Sequence, residues 1–305
     1  MATDAQVPQG EKPRKPTRER LDVLLVQRGL APSRERARAV ILAGEVRVDG
    51  QVSTKAGANV SVDAAVELVG PARELRFVSR GGLKLERALD TFGLNPAGCV
   101  CMDVGASTGG FTDLLLRRGA TRVYAVDVGH GQLAWSLRKD PRVVVMERTN
   151  VRHMQPLPEP VDCFVIDVSF ISLRLALPRV ASLVCDGAWG VALVKPQFEA
   201  GRAEADRGAG VISDPAIHRR VLRELLAWLD ETQNAGDALR LYPQGLIASP
   251  ITGREGNAEY LLWLAASSAS PVASDISGIH DTHTRVGTQE IETAVAAAFS
   301  GAAPA

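Results

Sequence analysis

A glycine-rich turn between an apolar strand and a helix, at residues 99–111, constrains the fold of this chain more than any other stretch. Residues 99–104 are nearly continuous in apolar character, which is typical of a parallel strand buried on both faces. Phe111–Arg118 continues as a helix, and Gly119 ends it. The turn itself contains Gly105, Gly109 and Gly110, which allow a tight bend and the close approach of a ligand to the backbone.

An acidic residue, Asp127, follows this unit at the end of a second apolar run, Val123–Val126. This order is typical of a Rossmann-like nucleoside site: a strand, a glycine turn, a helix and an acidic residue at the end of the next strand. The glycine spacing lacks the dinucleotide fingerprint and is closer to the S-adenosylmethionine loop of methyltransferases. A carboxylate also suits an unphosphorylated ribose, whose two hydroxyls can donate to it. We therefore predict a ligand loop rather than an ordinary turn with a surface aspartate.

The charge and composition of the chain limit its class. Its 35 basic and 35 acidic residues balance, so no overall field attracts it to nucleic acid and any basic surface is local. No apolar run approaches the length of a membrane span, and no apolar segment lies at the N-terminus. We expect a cytoplasmic protein with small core cysteines in a reducing compartment. The cysteines are Cys99, Cys101, Cys163 and Cys185.

Residues 18–70 are predicted to form a small separate unit after a disordered, proline-containing tail at residues 1–17. Two short helices are indicated, the second with Ser33 at its N-cap. Residues 45–52 alternate between apolar and polar around Asp49-Gly50, which predicts a hairpin. Three more apolar residues would complete its sheet: Val60, Val66 and Leu68.

This unit carries an excess of basic residues. From Arg14 to Arg47 there are nine basic and four acidic residues, a local balance of nine minus four, or plus five. A basic helix beside a hairpin favours binding to an RNA backbone over a merely solvated helix face. The motifs Arg20-Leu-Asp-Val-Leu-Leu-Val, Ser33-Arg-Glu-Arg-Ala and Gly44-Glu-Val-Arg-Val-Asp-Gly resemble the S4-like RNA-binding domain. The candidate RNA-binding residues are Arg18, Arg20, Arg34, Arg36, Arg38 and Arg47.

A linker at residues 71–80 leads into the remaining chain, residues 81–305, where strands and helices alternate. Such alternation predicts an α/β fold with a parallel sheet and right-handed crossovers. The last two of seven strands lack a helix between them, so the seventh is predicted to be antiparallel. The strands are expected at residues 100–104, 123–126, 143–146, 161–167, 189–195, 239–248 and 259–264.

Four charged residues are predicted to share one edge of this sheet, because ligands of open parallel sheets lie outside the carboxyl ends of the strands. Asp167 ends the fourth strand, Lys195 ends the fifth, and Glu259 begins the antiparallel seventh. Lys84 lies on the helix before the sheet. A lysine at the end of an apolar strand is costly to bury without partners, which favours a functional Lys195 over a solvated rim residue.

These residues lie in motifs that resemble the TlyA family of bacterial rRNA 2′-O-ribose methyltransferases, which also carry the name haemolysin. The motifs are Ser79-Arg-Gly-Gly-Leu-Lys84-Leu, Asp103-Val-Gly-Ala-Ser-Thr-Gly-Gly-Phe111-Thr, Asp167-Val-Ser-Phe-Ile, Leu193-Val-Lys195-Pro-Gln-Phe-Glu and Gly256-Asn-Ala-Glu259-Tyr.

The resemblance implies an S4-like domain of α+β type before an FtsJ-like domain with the Rossmann-like, seven-stranded class I methyltransferase sheet. It implies S-adenosylmethionine as cofactor and rRNA cytidines in ribosomal subunits as substrate. We expect no membrane partner and no metal. The family's catalytic tetrad falls on Lys84, Asp167, Lys195 and Glu259. The candidate cofactor-binding residues are Asp103, Gly105, Ala106, Ser107, Thr108, Gly109, Gly110, Phe111, Asp127, Asn150 and Asp167.

Two other functions stay open at this point. A membrane-active haemolysin would need an exposed apolar or amphipathic segment, for which the alanine-rich stretch 292–303 is short and weakly apolar. An RNA-binding protein with a degenerate catalytic fold is disfavoured by the presence of all four tetrad residue types. Residues 267–287 align with neither domain, and His218, His280 and His283 are expected at the surface.

Overall fold

A computed structural model of the chain describes residues 17–28, 30–31, 33–69, 77–201, 204, 208, 210–233, 240–267 and 286–300. The chain divides into two compact units, Met1–Arg76 and Phe77–Ala305. The expected tail at residues 1–17, except for Thr17, and most of the linker and of the segment 267–287 lie outside the described residues.

The first unit packs two helices against short strands. Its core contains Leu21, Leu25, Ile41 and Val46, all fully buried. In chain order the elements are β1 (Arg18–Arg20), α1 (Leu21–Gln27), α2 (Arg34–Leu42), β2 (Val46–Val48), β3 (Gln51–Val52), β4 (Asn59–Ser61) and β5 (Val66–Leu68).

The hairpin predicted around Asp49-Gly50 is present, and both turn residues have positive φ (49° and 81°). This is the conformation that a two-residue hairpin turn of type I′ requires, and it explains the Asp-Gly pair. The sheet is completed differently from the prediction. Strand β5 pairs with β2, as expected for Val66 and Leu68, but Val60 lies in β4, which pairs with β1 in a separate two-stranded sheet.

The second unit is built on a seven-stranded sheet, which confirms the α/β fold class. Its strand order is β11-β12-β10-β9-β6-β7-β8. Strand β12 runs antiparallel to both of its neighbours, as predicted for the last strand. The strands are β6 (Val100–Val104), β7 (Arg122–Val126), β8 (Val143–Met146), β9 (Val161–Ile166), β10 (Val184–Val194), β11 (Arg240–Ala248) and β12 (Tyr260–Ser267).

Apolar layers cover both faces of this sheet, because successive residues of a strand point to opposite sides. Met102 and Phe164 belong to one layer, and Cys101 and Cys163 belong to the other. This explains why the central strands are continuously apolar. The helices are α3 (Gly81–Phe92), α4 (Gly110–Arg117), α5 (Trp135–Arg138), α6 (Leu173–Ala181), α7 (Pro196–Glu199), α8 (Pro215–Gln233) and α9 (Thr288–Phe299).

Strand β10 begins five residues earlier than predicted, at Val184 instead of Trp189. Its pairing with β9 is interrupted between these two residues, where Gly187 has a φ of +81°. Asp186 and Gly187 interrupt the apolar pattern in this bulge, so the first part of the strand carries no clear signal. The preceding helix consequently ends at Ala181.

The surface prediction for His218 is wrong. This residue on α8 is fully buried. Its Nε2 lies 2.9 Å from the carbonyl oxygen of Ile212, and its Nδ1 lies 2.7 Å from the hydroxyl of Tyr260. Because a carbonyl only accepts, Nε2 donates to Ile212. Burial lowers the pKa of His218, so the ring is neutral at pH 7 and Nδ1 accepts from the Tyr260 hydroxyl. His280 and His283 lie outside the described residues.

Candidate active site

The sheet register brings three of the predicted charged residues to one edge. Strands β6 and β9 are parallel and end together, since Val104 pairs with Ile166. Strands β10 and β12 are antiparallel, and the last pair at this edge joins Val194 to Tyr260. Asp167 therefore follows β9, Lys195 follows β10 and Glu259 precedes β12 at the same edge.

Lys195 and Asp167 form an ion pair at this edge, with 2.5 Å between Nζ and Oδ1. Lys195 is only 7% exposed, and its Nζ also donates to Ser169 Oγ at 2.9 Å. Nζ lies 5.9 Å from the centre of the Phe198 ring. The ammonium group is therefore held between the loop after β9 and helix α7, which follows β10, and has little freedom to move.

Lys84 and Glu259 form a second buried pair, with 2.5 Å between Nζ and Oε2. Both are buried, and Lys84 reaches the edge from the first turn of α3. Gly253 makes room for this carboxylate, because a Cβ at that position would lie 2.3 Å from Glu259 Oε1. Removing one partner of a buried ion pair typically lowers the free energy of unfolding by ~3–5 kcal/mol, because the other charge is left buried and uncompensated. In both pairs, each charged residue therefore depends on its partner.

The glycine turn passes directly behind Asp167. Gly105 has a φ of +87°, and a Cβ there would lie 2.4 Å from the carbonyl oxygen of Asp167. The Asp167 amide donates to the carbonyl of Val104 at 2.8 Å, which fixes this contact. Gly109 has a φ of +95° immediately before α4. Only glycine fits at both points, because Gly105 packs against the backbone of Asp167 and a Cβ at Gly109 would lie 2.3 Å from Leu137. The turn is therefore held tightly at the edge that carries Asp167.

Asp127 holds the glycine turn from the next strand. Its carboxylate accepts from the Ser107 amide at 2.8 Å and from the Gly129 amide at 2.6 Å. The carbonyl of Asp127 accepts from the Thr149 amide, which brings Asn150 close to the same region. A carboxylate has further lone pairs, so Asp127 can still accept from hydroxyl groups.

Asp103 is fully buried under the turn, and one side of its carboxylate lacks a partner. Oδ2 accepts from the amide and the hydroxyl of Thr112, at 2.9 and 2.6 Å. Within the described part of the chain, Oδ1 has no hydrogen-bond partner. Burial, together with the nearby Asp167 and Asp127 carboxylates, raises the pKa of Asp103 to about 7. A cationic or hydrogen-bonding group from a ligand would satisfy this oxygen.

Asn150 takes part in local structure beside the turn. Its side chain accepts from the Arg152 amide at 3.0 Å and caps a short 3-10 helix, Val151–His153. It also lines an open cavity of about 620 Å³ above β7 and β8, together with Tyr124 and Met146. No contact described here joins Asn150 to the ion pairs.

Three residues near the ion pairs were missed by the sequence reasoning. Ser169 binds Lys195, and Glu199 accepts from the hydroxyl of Ser172 at 2.6 Å and the amide of Leu173 at 2.7 Å. Phe170 is 87% exposed, has a φ of +66°, and its ring centre lies 5.2 Å from that of Phe198. The sequence signal is that all three lie in the motifs quoted above, Ser169 and Phe170 two and three residues after Asp167, and Glu199 four residues after Lys195.

The predicted RNA-binding arginines of the first unit fall into different environments. Arg20, Arg34 and Arg38 all bind the carboxylate of Asp22. Arg18 donates to the carbonyl of Asn59 at 2.7 Å. Arg36 is half-buried on α2, and Arg47 is exposed on β2.

Comparison with known proteins bears on both units. The sequence model of the S4 domain matches residues 19–66, and that of the FtsJ-like methyltransferases matches residues 77–266. Within the described residues, no helix has both the length and the apolar character needed to cross a membrane.

Curated relatives match over most of their length. The chain is 48% identical to the 16S/23S rRNA (cytidine-2′-O)-methyltransferase TlyA of Mycobacterium tuberculosis, over 81% of this chain and 90% of the relative. It is 37% identical to Hemolysin A of Brachyspira hyodysenteriae, over 79% of this chain and 98% of the relative. Among solved structures, a candidate haemolysin from Streptococcus thermophilus matches with a TM-score of 0.68 and 40% identity, covering 93% of this chain and 96% of that one.

Proposed function

Because this chain belongs to the TlyA family of FtsJ-like methyltransferases, we propose that it transfers a methyl group from S-adenosylmethionine to the 2′-hydroxyl of an rRNA cytidine. The observation that carries the proposal is the meeting of the Lys195–Asp167 and Lys84–Glu259 pairs with the glycine turn at one sheet edge. The relative from M. tuberculosis bears this activity in its name.

The residues present fit the proposed cofactor. S-adenosylmethionine supplies an electrophilic methyl group on a positively charged sulfonium. The exposed part of the glycine turn, Ser107 and Thr108, would lie against the methionine part, and the unpartnered Asp103 Oδ1 would accept from its ammonium group. Asp127 would accept from the ribose hydroxyls. Ala106, Ser107, Thr108, Gly110, Phe111, Asn150 and Asp167 complete the proposed cofactor site.

Lys195 would orient the nucleophile. Its bonds to Asp167 and Ser169 leave one N–H donor of the ammonium group for a substrate oxygen. A ribose hydroxyl is a poor nucleophile unless its oxygen is held in line with the methyl group. The hydroxyl proton would pass to water as the oxygen–methyl bond forms and the methyl–sulfur bond breaks. Since Asp167 and Ser169 fix Nζ, the oxygen that it binds is fixed as well. Lys84 and Glu259 would shape the adjacent wall of the site through their own buried pair.

Phe170 would bind a base of the substrate. Its ring is 87% exposed and its φ is positive, a strained conformation of the kind that clusters at functional sites. RNA bases stack on aromatic side chains, and an enzyme that modifies a buried nucleotide must expose it. The position of Phe170, three residues after Asp167, suits a base at or beside the target nucleotide.

The first unit would bind the RNA substrate. We propose that residues 18–70 act as the S4-like RNA-binding domain, that 71–80 is the linker and that 81–305 is the catalytic domain. The substrate would be folded rRNA within ribosomal subunits in the cytoplasm.

The test is methyl transfer with a mapped product. Purified protein and S-adenosylmethionine are incubated with ribosomal subunits that lack 2′-O-methylcytidine, and the modified position is mapped by mass spectrometry. The proposal requires 2′-O-methylcytidine that depends on the protein. Methylation confined to bases would replace the proposal with a different reaction.

A further inference from the structure

Asp22, on α1 of the first unit, lies at the centre of three guanidinium groups. Arg20 binds it through two hydrogen bonds, of 2.9 Å to Oδ1 and 3.0 Å to Oδ2. Arg34 and Arg38 of α2 bind Oδ2 at 3.2 and 3.1 Å. Asp22 is the one acidic residue in this cluster. Its hydrogen bonds with the three arginines, most strongly the one with Arg20, hold its pKa well below the ordinary value. The carboxylate therefore stays charged.

The exposure of these four side chains differs sharply. The Asp22 side chain is fully covered, whereas those of Arg20, Arg34 and Arg38 are 43%, 53% and 53% exposed. A molecule that approaches this surface meets the cations and not the anion. Three positive charges and one negative charge leave a net charge of plus two. The bonds to Asp22 also use only a minority of the N–H donors of each guanidinium.

The backbone around the cluster is fixed before any ligand binds. The Asp22 amide donates to the carbonyl of Ala56 at 3.1 Å, and the Leu21 amide donates to Ala58 at 2.9 Å. Gly57, between these acceptors, leaves space for Arg20, because a Cβ there would lie 3.2 Å from Arg20 Nη1. Arg18 and Arg28 instead donate to main-chain carbonyls, so their guanidinium groups serve the fold of the unit.

We propose that Asp22 is a positioning residue that assembles Arg20, Arg34 and Arg38 into one binding site for a phosphodiester group of RNA. The three cations would repel one another and spread apart without a shared anion. Held together, their remaining donors converge on a single group with several acceptor oxygens, which suits phosphate. This inference rests on the proposed binding of RNA by the first unit, and it concerns how that site is built.

The test asks whether RNA binding becomes stronger or weaker when the acidic charge of Asp22 is removed. Removing an acidic residue from an RNA-binding surface strengthens binding if the residue acts only through its charge. We expect Asp22→Asn to weaken binding instead, by about threefold to tenfold, and to lower the salt slope by about one. Glu35→Gln is the matched control, since Glu35 is an exposed acid on the same helix as Arg34 and Arg38. It should leave binding unchanged or up to about twofold tighter.

The measurement is fluorescence anisotropy of a labelled ribosomal stem–loop RNA with the full chain, at several salt concentrations. Binding by Asp22→Asn that is as tight as that of the parent, or tighter, with an unchanged salt slope, would overturn the inference. If Asp22→Asn melts near the assay temperature, Arg34→Lys and Arg38→Lys replace it, because they keep the charge but lose the guanidinium. Each should weaken binding, and parental affinity in both would overturn the inference.

The outcomes separate this inference from the proposed function. A parent protein that methylates and binds RNA, with an Asp22→Asn variant that binds equally well, overturns the inference alone. A parent protein that does not bind the RNA overturns the proposed role of the first unit as well. Weakened binding by Asp22→Asn, with binding by Glu35→Gln retained, supports the inference whether or not methyl transfer is detected.

Discussion

Lys195 Nζ lies 2.5 Å from Asp167 Oδ1, although the two residues follow different strands of the sheet. The pair exists because parallel strands β9 and β10 end at one edge, and because the glycine turn after β6 presses against the backbone of Asp167. Asp167 therefore contacts both Lys195, which we propose to position the nucleophile, and the glycine turn, which we propose to bind the cofactor.

Replacing Lys195 with Ala should lower the rate of methyl transfer by about 100-fold or more, because the 2′-hydroxyl loses the group that orients it. S-adenosylmethionine should still bind, with an affinity measured by calorimetry that falls by less than about tenfold, since Lys195 reaches the proposed cofactor site only through Asp167. Lys139→Ala, which removes a lysine that lies over Trp135 instead, is the control. Loss of cofactor binding in a folded Lys195→Ala protein would contradict the assigned role.

Replacing Asp127 with Ala should have the reverse effect. The carboxylate holds the amides of Ser107 and Gly129 and would bind the ribose of the cofactor. We expect S-adenosylmethionine to bind at least about tenfold more weakly, because bonds to a charged group are each worth ~1.5–3 kcal/mol. At saturating cofactor, turnover should stay within a few-fold of the parent. Unchanged affinity would remove Asp127 from the cofactor site.

Replacing Phe170 with Ala should raise the KM for the RNA substrate by about fivefold or more, because stacking on an aromatic ring is worth ~1–3 kcal/mol per base. Thermal stability should change little, since the ring is 87% exposed and alanine adopts the positive φ no more easily than phenylalanine does. Phe170→Trp keeps an aromatic face and should retain most of the affinity. Steady-state kinetics with ribosomal subunits check this, and an unaltered KM in Phe170→Ala would argue against stacking.

The free energy of unfolding should decrease at acid pH because His218 is buried in its neutral form. Burial lowers the pKa of this residue from its ordinary value of 6.5, so the unfolded chain binds a proton that the folded protein excludes. The contribution of the neutral ring is fully present above pH 6.5 and is lost as the pH falls through the lower folded-state pKa. Urea titrations at a series of pH values should therefore show a steeper loss in the parent than in His218→Gln.

The comparison with His218→Gln is needed because Asp103 acts in the opposite direction. Its folded-state pKa is raised to about 7, so ionisation of Asp103 opposes folding as the pH rises. Asp103 is present in both proteins, and the difference between them isolates His218. His153→Gln, which removes an exposed imidazole, should keep the parental profile. Parallel profiles for the parent and His218→Gln would contradict the account.

The edge that holds the site could be predicted, because the topology of an α/β sheet decides where strands end. Asp167, Lys195 and Glu259 could be placed there from strand order alone, and the φ values of Gly105 and Gly109 follow from their place in the turn. The partners within the edge could not be predicted. Which carboxylate binds which lysine depends on side-chain reach, and the sequence left both pairings open.

Residues that act through one neighbour leave little trace in a sequence. Ser169 and Glu199 are ordinary loop and helix-end residues until the contacts with Lys195 and Leu173 are known. Asp22 was counted as one acidic charge in a basic segment, yet it determines where three arginines lie. The sequence around His218 predicts a surface group, because its partners Ile212 and Tyr260 lie outside its own helix and become visible only in the fold.

The most direct test of the central claim is to map ribose methylation by the parent protein and by Lys195→Ala on the same ribosomal subunits. The account predicts 2′-O-methylcytidine at defined rRNA positions with the parent, and none above background with Lys195→Ala that still binds S-adenosylmethionine. Equal methylation by both proteins, or a product that carries the methyl group on a base, would contradict a ribose methyltransferase built around Lys195 and Asp167.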